Sequence, residues 1–216
     1  MEKKKLIILG AGGHARTVLE CIDRSQFEVI GFVDKDSARE GEMVSGFPVL
    51  GDDSLPEKWL SKGIDCCIIG IGHLGNAGIR NRLYHKYEAA GFEMIIAVHA
   101  AAHVSQNAYV GLGTVVMPGA IINTGAVINN NCIINTGTII EHDVKISQGV
   151  HIAPGCVIAG ASSVGVNAFV GAGSTVINGI QIGENSIIGA GSVVISDIPE
   201  NSLALGTPAK VIREVS

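Results

Sequence analysis

Of the seven histidines (His14, His73, His85, His99, His103, His142 and His151), only His142 stands between two carboxylates, Glu141 and Asp143. A carboxylate beside an imidazole stabilises its protonated form and holds the ring in one tautomer, which suits a general base acting on an amine or a hydroxyl. Acyl transfer has that need, because the attacking group sheds a proton as the tetrahedral adduct forms and an oriented N–H must receive the developing oxyanion. A second cluster, Gly10-Ala11-Gly12-Gly13-His14-Ala15, follows the apolar run LIIL and opens a helical pattern. Its backbone N–H groups can meet a phosphate. Gly10, Gly12 and Ala15 also fit a dinucleotide fingerprint, with Asp34 at the end of the second strand where a ribose-binding acid belongs, so NAD is an alternative ligand. A tight turn that only packs helix on strand is a third reading. No His or acidic set has the spacing of metal ligands.

The elements that must carry these groups fall into two kinds. From Ala102 to Asp197 the chain divides into sixteen hexads without an insertion, and the third position, from Val104 to Val194, is Val or Ile in every one. The first position is mostly small, and the sixth is Gly, Asn, Asp or Ala, which suits a bend through positive φ. A helical period would scatter the branched residues, and one alternating strand cannot run so far. A solenoid of three short strands per coil resolves both, with residues 18 apart stacked at roughly 4.8 Å. Upstream, residues 5 to 99 alternate strand-like runs (LIILG, FEVIGFVD, CCIIGIG, FEMIIAVH) with helical stretches near 14–24, 55–62 and 77–90. This predicts a small parallel sheet with helices on its faces. About 95 residues leave room for half of a Rossmann-like fold, which suits a mononucleotide better than NAD. The expected division is 1–99 for the α/β domain, 100–197 for the all-β solenoid and 198–216 for a tail outside the period.

Composition excludes several classes. Net charge is −5 with no basic cluster beyond Lys3–Lys5, against nucleic acid or an anionic membrane as partner. Five cysteines (Cys21, Cys66, Cys67, Cys132, Cys156) without zinc-type spacing read as free thiols in a reducing compartment. Neither a signal peptide nor an uninterrupted apolar stretch of membrane-spanning length is visible, and a cytoplasmic protein without membrane insertion is expected.

With Gly-Ala-Gly-Gly-His-Ala, Phe32-Val33-Asp34, Ile69-Gly70-Ile71-Gly72 and the Glu-His-Asp hexad in matching order, the chain resembles one family of hexapeptide-repeat acetyltransferases. That family contains bacterial nucleotide-amino-sugar N-acetyltransferases and sialic acid O-acetyltransferases. The resemblance implies a left-handed parallel β-helix, whereas the general crossover rule would give the opposite hand. It also implies transfer of acetyl from acetyl-CoA to the amine of a nucleotide-linked amino sugar, UDP being the expected nucleotide. The acceptor attacks the thioester directly, with His142 as general base and Asp143 as its supporting carboxylate. By position it implicates Gly12, Gly13, His14, Asp34, Lys35 and Gly72 in holding the nucleotide sugar. Relatives place a second acid after the first. Here the run is Asp34-Lys35-Asp36, so either Lys35 or Asp36 contacts the ligand. Asn135 falls at the acceptor site, or belongs to an asparagine ladder in a solenoid turn.

On the cofactor side the resemblance points to His151, Ala172 and Ala190 for acetyl-CoA, and to a tail motif, Gly206 to Ala209, that helps hold it. Lys210 and Arg213 either meet the cofactor phosphates or form a solvated cap. A homotrimer with sites between neighbours is implied as well. Alternative functions are O-acetylation of sialic acid or another sugar, and a non-catalytic nucleotide-binding assembly protein.

Overall fold

The computed structural model describes residues 2–215. Strand β1 (Lys4–Leu9) leads into helix α1 (Gly13–Glu20), β2 (Phe27–Val33), a hairpin of β3 (Met43–Val44) and β4 (Phe47–Pro48), α2 (Pro56–Leu60), β5 (Cys66–Ile69), α3 (Gly78–Ala89) and β6 (Glu93–Met94). The sheet order is β2-β1-β5-β6, all parallel. Because both faces of β1 are covered, Leu6 and Ile8 pack with Ala15 and Val18 of α1, while Ile7 and Leu9 pack with Trp59, Tyr84 and Tyr87. Helix α1 ends four residues before the expected Arg24. Asp23 draws the N–H and hydroxyl of Ser25 and the amide of Gln26 onto its carboxylate, and that local turn competes with helix. The β3–β4 hairpin, absent from the sequence reading, turns on Ser45 and Gly46, both at positive φ, which is the geometry a two-residue hairpin loop needs.

The solenoid begins at β7 (Ala97–Val98), which pairs with Val115–Val116. Its two-residue strands stack in three parallel sheets, with partners such as Val115↔Ile133, Ile133↔His151 and Ile121↔Ile139 each 18 residues apart. About six coils result. Val104 and Val110 are half-buried at the open end, and every third-position residue from Val116 to Val194 is buried. The sixth position adopts positive φ in each hexad from Gly113 to Gly191, including Asn131, Asp143, Ala161, Asn167 and Asn185. The tail is itself strand. Residues Ser202–Gly206 continue one sheet in parallel, 16 rather than 18 residues after Ile187–Ile188, and Ala209–Glu214 folds back antiparallel upon them. The Gly206–Ala209 motif makes that turn, and Lys210 and Arg213 are exposed on the outer strand.

Helix α3 joins the two parts. Arg80, 1% exposed, sends its guanidinium to four backbone carbonyls: Ile69 at the end of β5 and Ile71 just beyond it, and Gly113 and Asn131 on the solenoid, at 2.9–3.1 Å. One turn corner carries Gly113, Asn131, Gly149, Asn167 and Asn185 in register. Its two glycines lie where the helix crosses: a Cβ on Gly113 would meet Tyr84 at 2.7 Å, and one on Gly149 would lie 3.1 Å from Asn81. Asn81 fills the rung that Gly149 leaves open, accepting from Asn131 (2.9 Å) and donating to Asn167 (2.8 Å). The amide ladder therefore runs unbroken through a residue of the other domain.

Candidate active site

The solenoid has three corners, and the candidate groups divide among them. His142 and Asp143 occupy the corner of Gly125, Asp143, Ala161 and Gly179, away from the corner on which α3 docks. Asp143 stands at φ 59°, a conformation that Asp and Asn tolerate better than other side chains. Its Oδ2 lies 2.9 Å from His142 Nδ1. In the neutral ring this contact places the proton on Nδ1 and leaves Nε2 as the acceptor, on a side chain that is 53% exposed. Glu141, the other flanking acid, accepts only the His142 backbone N–H, at 3.3 Å.

Beneath the ring lies Gly160, one coil on, which the sequence reading passed over. A Cβ there would stand 2.5 Å from Nε2 and 2.7 Å from Cε1. At this turn the usual order is reversed: the residue at positive φ is Ala161, at φ 58°, and the glycine precedes it. An L-residue in that region costs about 1–2 kcal/mol, so glycine is spent on seating the imidazole rather than on the bend. Gly160→Ala is expected to keep the thermal midpoint and both KM values while kcat falls about 10- to 100-fold, since the ring must tilt from its seat. Steady-state kinetics check this, and a wild-type kcat would remove Gly160 from the site.

Asn135 and His151 meet. His151, 6% exposed, donates from Nδ1 to the carbonyl of His73 (2.7 Å), which leaves Nε2 to accept the Asn135 amide at 3.0 Å. Asn135 turns its oxygen to the Thr136 N–H at 2.8 Å and stands outside the asparagine ladder. His73 is buried and hydrogen-bonded through Nε2 to the Gly149 carbonyl, with Gly75 N–H directed at Nδ1. Burial, reinforced by neighbouring imidazoles and the Arg80 charge, lowers His14 to about 3 and His73 to about 4. Burial first and the Arg80 charge bring His151 to about 4, against the opposing bond to His73. All three are neutral at pH 7. Ala172 and Ala190 are exposed on successive coils, with Gly191 N–H bonded to the Ala172 carbonyl.

The acceptor-side residues converge. Gly12, Gly13, His14, Asp34, Lys35 and Gly72 all line one cavity of about 310 Å³, together with Gly10, Asp53 and Ile79. Its floor needs small residues: a Cβ on Gly70 would lie 2.6 Å from that of Ala15, the close helix–strand approach of the fingerprint. His14 Nε2 has no partner, and its ring is 3.7 Å from where Gly72 would carry a Cβ. Asp36 caps the turn at Ala38 N–H (3.0 Å) and does not line the cavity, whereas Lys35 does. Among the described residues there is no group of His, Cys, Asp and Glu suited to a metal ion, and no helix long and apolar enough to cross a membrane.

A nucleotide-type α/β domain docked on a solenoid that carries a carboxylate-held histidine defines an acyltransferase of the hexapeptide-repeat class. Comparisons with known proteins narrow this. Residues 5–87 match the PglD N-terminal domain, and residues 162–196 match the hexapeptide repeat of succinyl-transferase. A histidine-to-asparagine variant of perosamine N-acetyltransferase from Caulobacter crescentus, solved with CoA and GDP-perosamine, is 37% identical over 97% of each chain, with a TM-score of 0.91. The acetyltransferase domain of PglB from Neisseria gonorrhoeae, solved with acetyl coenzyme A, is 31% identical over 98% of this chain and 100% of that one, with a TM-score of 0.88. WeeI from Acinetobacter baumannii shares the fold at 22% identity over 97% and 100% of the two chains, with a TM-score of 0.83. No curated protein sequence matches the chain. The chain belongs to the PglD-type hexapeptide-repeat sugar N-acetyltransferases, enzymes that take their acetyl group from acetyl-CoA.

Proposed function

We propose that the protein transfers acetyl from acetyl-CoA to the amine of a nucleotide-linked amino sugar, with His142 as general base and UDP as the expected nucleotide. The observation that carries this reading is the 2.9 Å contact of His142 Nδ1 with Asp143, which reserves Nε2 for the substrate proton. As the amine bonds to the thioester carbon, Nε2 takes an ammonium proton. The tetrahedral adduct then collapses, the C–S bond breaks, and the departing CoA thiolate recovers a proton from the imidazolium. Asp143 stabilises the imidazolium in between. The donor is supported by the PglB domain solved with acetyl coenzyme A, and the acceptor class by the complexes with GDP-perosamine. The glycine-lined cavity is of a size to hold part of a nucleotide. Five buried free thiols accord with a cytoplasmic enzyme.

A homotrimer is part of the reading. His142 sits on a different prism corner from the α/β domain, so completing one site from neighbouring chains brings the base to a cavity it does not border in its own chain. Exposed Ile121, Tyr109 and Val127, on the two sheets that meet at the His142 corner, offer apolar surface for such packing.

Release of free CoA, measured with a panel of UDP-, GDP- and CMP-linked amino sugars and with sialic acids, tests the acceptor. Turnover is expected with the UDP-amino sugars. Turnover confined to a GDP-linked sugar would move the nucleotide to guanine and keep the chemistry. Turnover with sialic acid alone would replace N-acetylation by O-acetylation.

A further inference from the structure

Asp34 follows directly on β2, the position at which a nucleotide-binding strand offers a carboxylate to the ribose, yet in this chain that carboxylate is already occupied. Its Oδ2 accepts from Ala11 N–H at 2.9 Å and from Arg39 Nη1 at 3.2 Å, and its Oδ1 accepts from Asp36 N–H at 3.1 Å. Arg39 also reaches the Ala11 carbonyl at 3.2 Å. Asp34 thus shapes the glycine loop from the inside and has little acceptor capacity left for a ligand.

The same cavity holds a second carboxylate. Asp53 is half-buried, lines the same cavity as the glycine loop, and makes no side-chain hydrogen bond or ion pair with the described residues. Its backbone, by contrast, is firmly placed. The hydroxyl of buried Tyr87 donates to the Asp53 carbonyl at 3.2 Å, Asp34 N–H donates to the Gly51 carbonyl at 3.0 Å, and Asp52 binds the Ser54 N–H and hydroxyl at 2.6 and 2.7 Å. Burial, together with the charges of Asp52 and Asp34, raises its carboxyl above the ordinary range, while Lys86 and Lys35 pull the other way. An unpartnered, partly desolvated carboxylate on a rigid turn costs folding free energy, and a binding site is where such a cost is retained.

We infer that Asp53, rather than Asp34, is the acceptor in this cavity for the hydrogen-bond donors of the nucleoside, whether ribose hydroxyls or a base N–H. The inference rests on the nucleotide-sugar reading above and specifies how that ligand is held. Lys35, exposed on the same rim and without an ion-pair partner among the described residues, supplies the positive charge that complements a diphosphate.

The test is calorimetric titration of the full-length wild type, Asp53→Asn and Asp53→Ala with UDP and with GDP, alongside the thermal midpoint of each ligand-free protein. Removing a charge-assisted hydrogen bond is expected to weaken nucleotide binding about 10- to 100-fold. The ligand-free midpoint should be unchanged or higher in Asp53→Asn, and KM for acetyl-CoA should stay at the wild-type value. Wild-type nucleotide affinity in both variants would overturn the inference while leaving the nucleotide-sugar reading intact. So would a clear drop of the ligand-free midpoint in both, because Asp53 would then be structural. If neither UDP nor GDP binds the wild type, the nucleotide-sugar reading fails first and the inference with it. Exchanging each nucleotide for its 2′,3′-dideoxy form separates the donors: if the Asn penalty disappears, the ribose is the partner, and if it persists, the base is.

Discussion

Replacing His142 with alanine is expected to lower kcat about 10²- to 10⁴-fold, the range a positioned general base contributes. The side chain is half-exposed and forms no part of the aliphatic core, so the thermal midpoint and the sedimentation mass, expected at three chains, should match the wild type. KM for either substrate should change little, because a group that acts on the proton in flight contributes to the transition state rather than to the ground state. Asp143→Asn provides a graded comparison. Asparagine tolerates the φ of 59° and, with its amide oxygen turned to the ring, accepts from Nδ1–H, so what the substitution removes is the negative charge that stabilises the imidazolium. Its loss should therefore be smaller than that of His142→Ala. A His142→Ala enzyme with near wild-type kcat would leave the reaction without the base assigned to it.

What could be seen of this site in advance follows from where its contacts lie along the chain. The solenoid was legible because its contacts repeat at a fixed offset: once residues 18 apart are known to stack, the buried ladder from Val116 to Val194 follows from residue type alone. His142 was legible as the one imidazole set between carboxylates in a turn. Gly160 could have been found by the same offset, since it lies 18 residues after His142, where a glycine before rather than at the positive-φ position was the signal. Gly149 was a similar sign, the one glycine between Asn131 and Asn167 in an asparagine column. Nothing in the sequence says that Asn81 fills the gap, because that contact joins residues 50 and 86 positions apart across two domains. Asp34 shows the opposite limit. Its place at the strand end was read from the fingerprint and its position in the cavity agrees, but the bonds from Ala11, Arg39 and Asp36 that occupy it are tertiary.

Arg80 is the residue whose loss should most affect the fold, and the ledger at its guanidinium shows why. It is buried without a carboxylate, and burial lowers it to about 10, so it remains charged at pH 7. A buried charge of this kind persists because four carbonyls receive it, two from each domain. Arg80→Met keeps much of the volume but strands those carbonyls in a site that water does not reach. A buried acceptor left without a donor costs about 1–3 kcal/mol, and at about 2–4 °C per kcal/mol for a chain of this size the midpoint should fall by roughly 10 °C or more. The loss should be uneven. The solenoid keeps its own ladders of backbone bonds, so the α/β domain should melt first and calorimetry should resolve an early transition. Arg80→Lys, with one compact ammonium for four acceptors, should lie between. In the folded fraction of that variant both substrates should bind less well, because the Ile69 and Ile71 carbonyls hold the segment that lines the nucleotide cavity and continues to His73, whose carbonyl fixes His151. A single transition at the wild-type temperature in Arg80→Met would mean that helix α3 and the asparagine ladder hold the domains together without it.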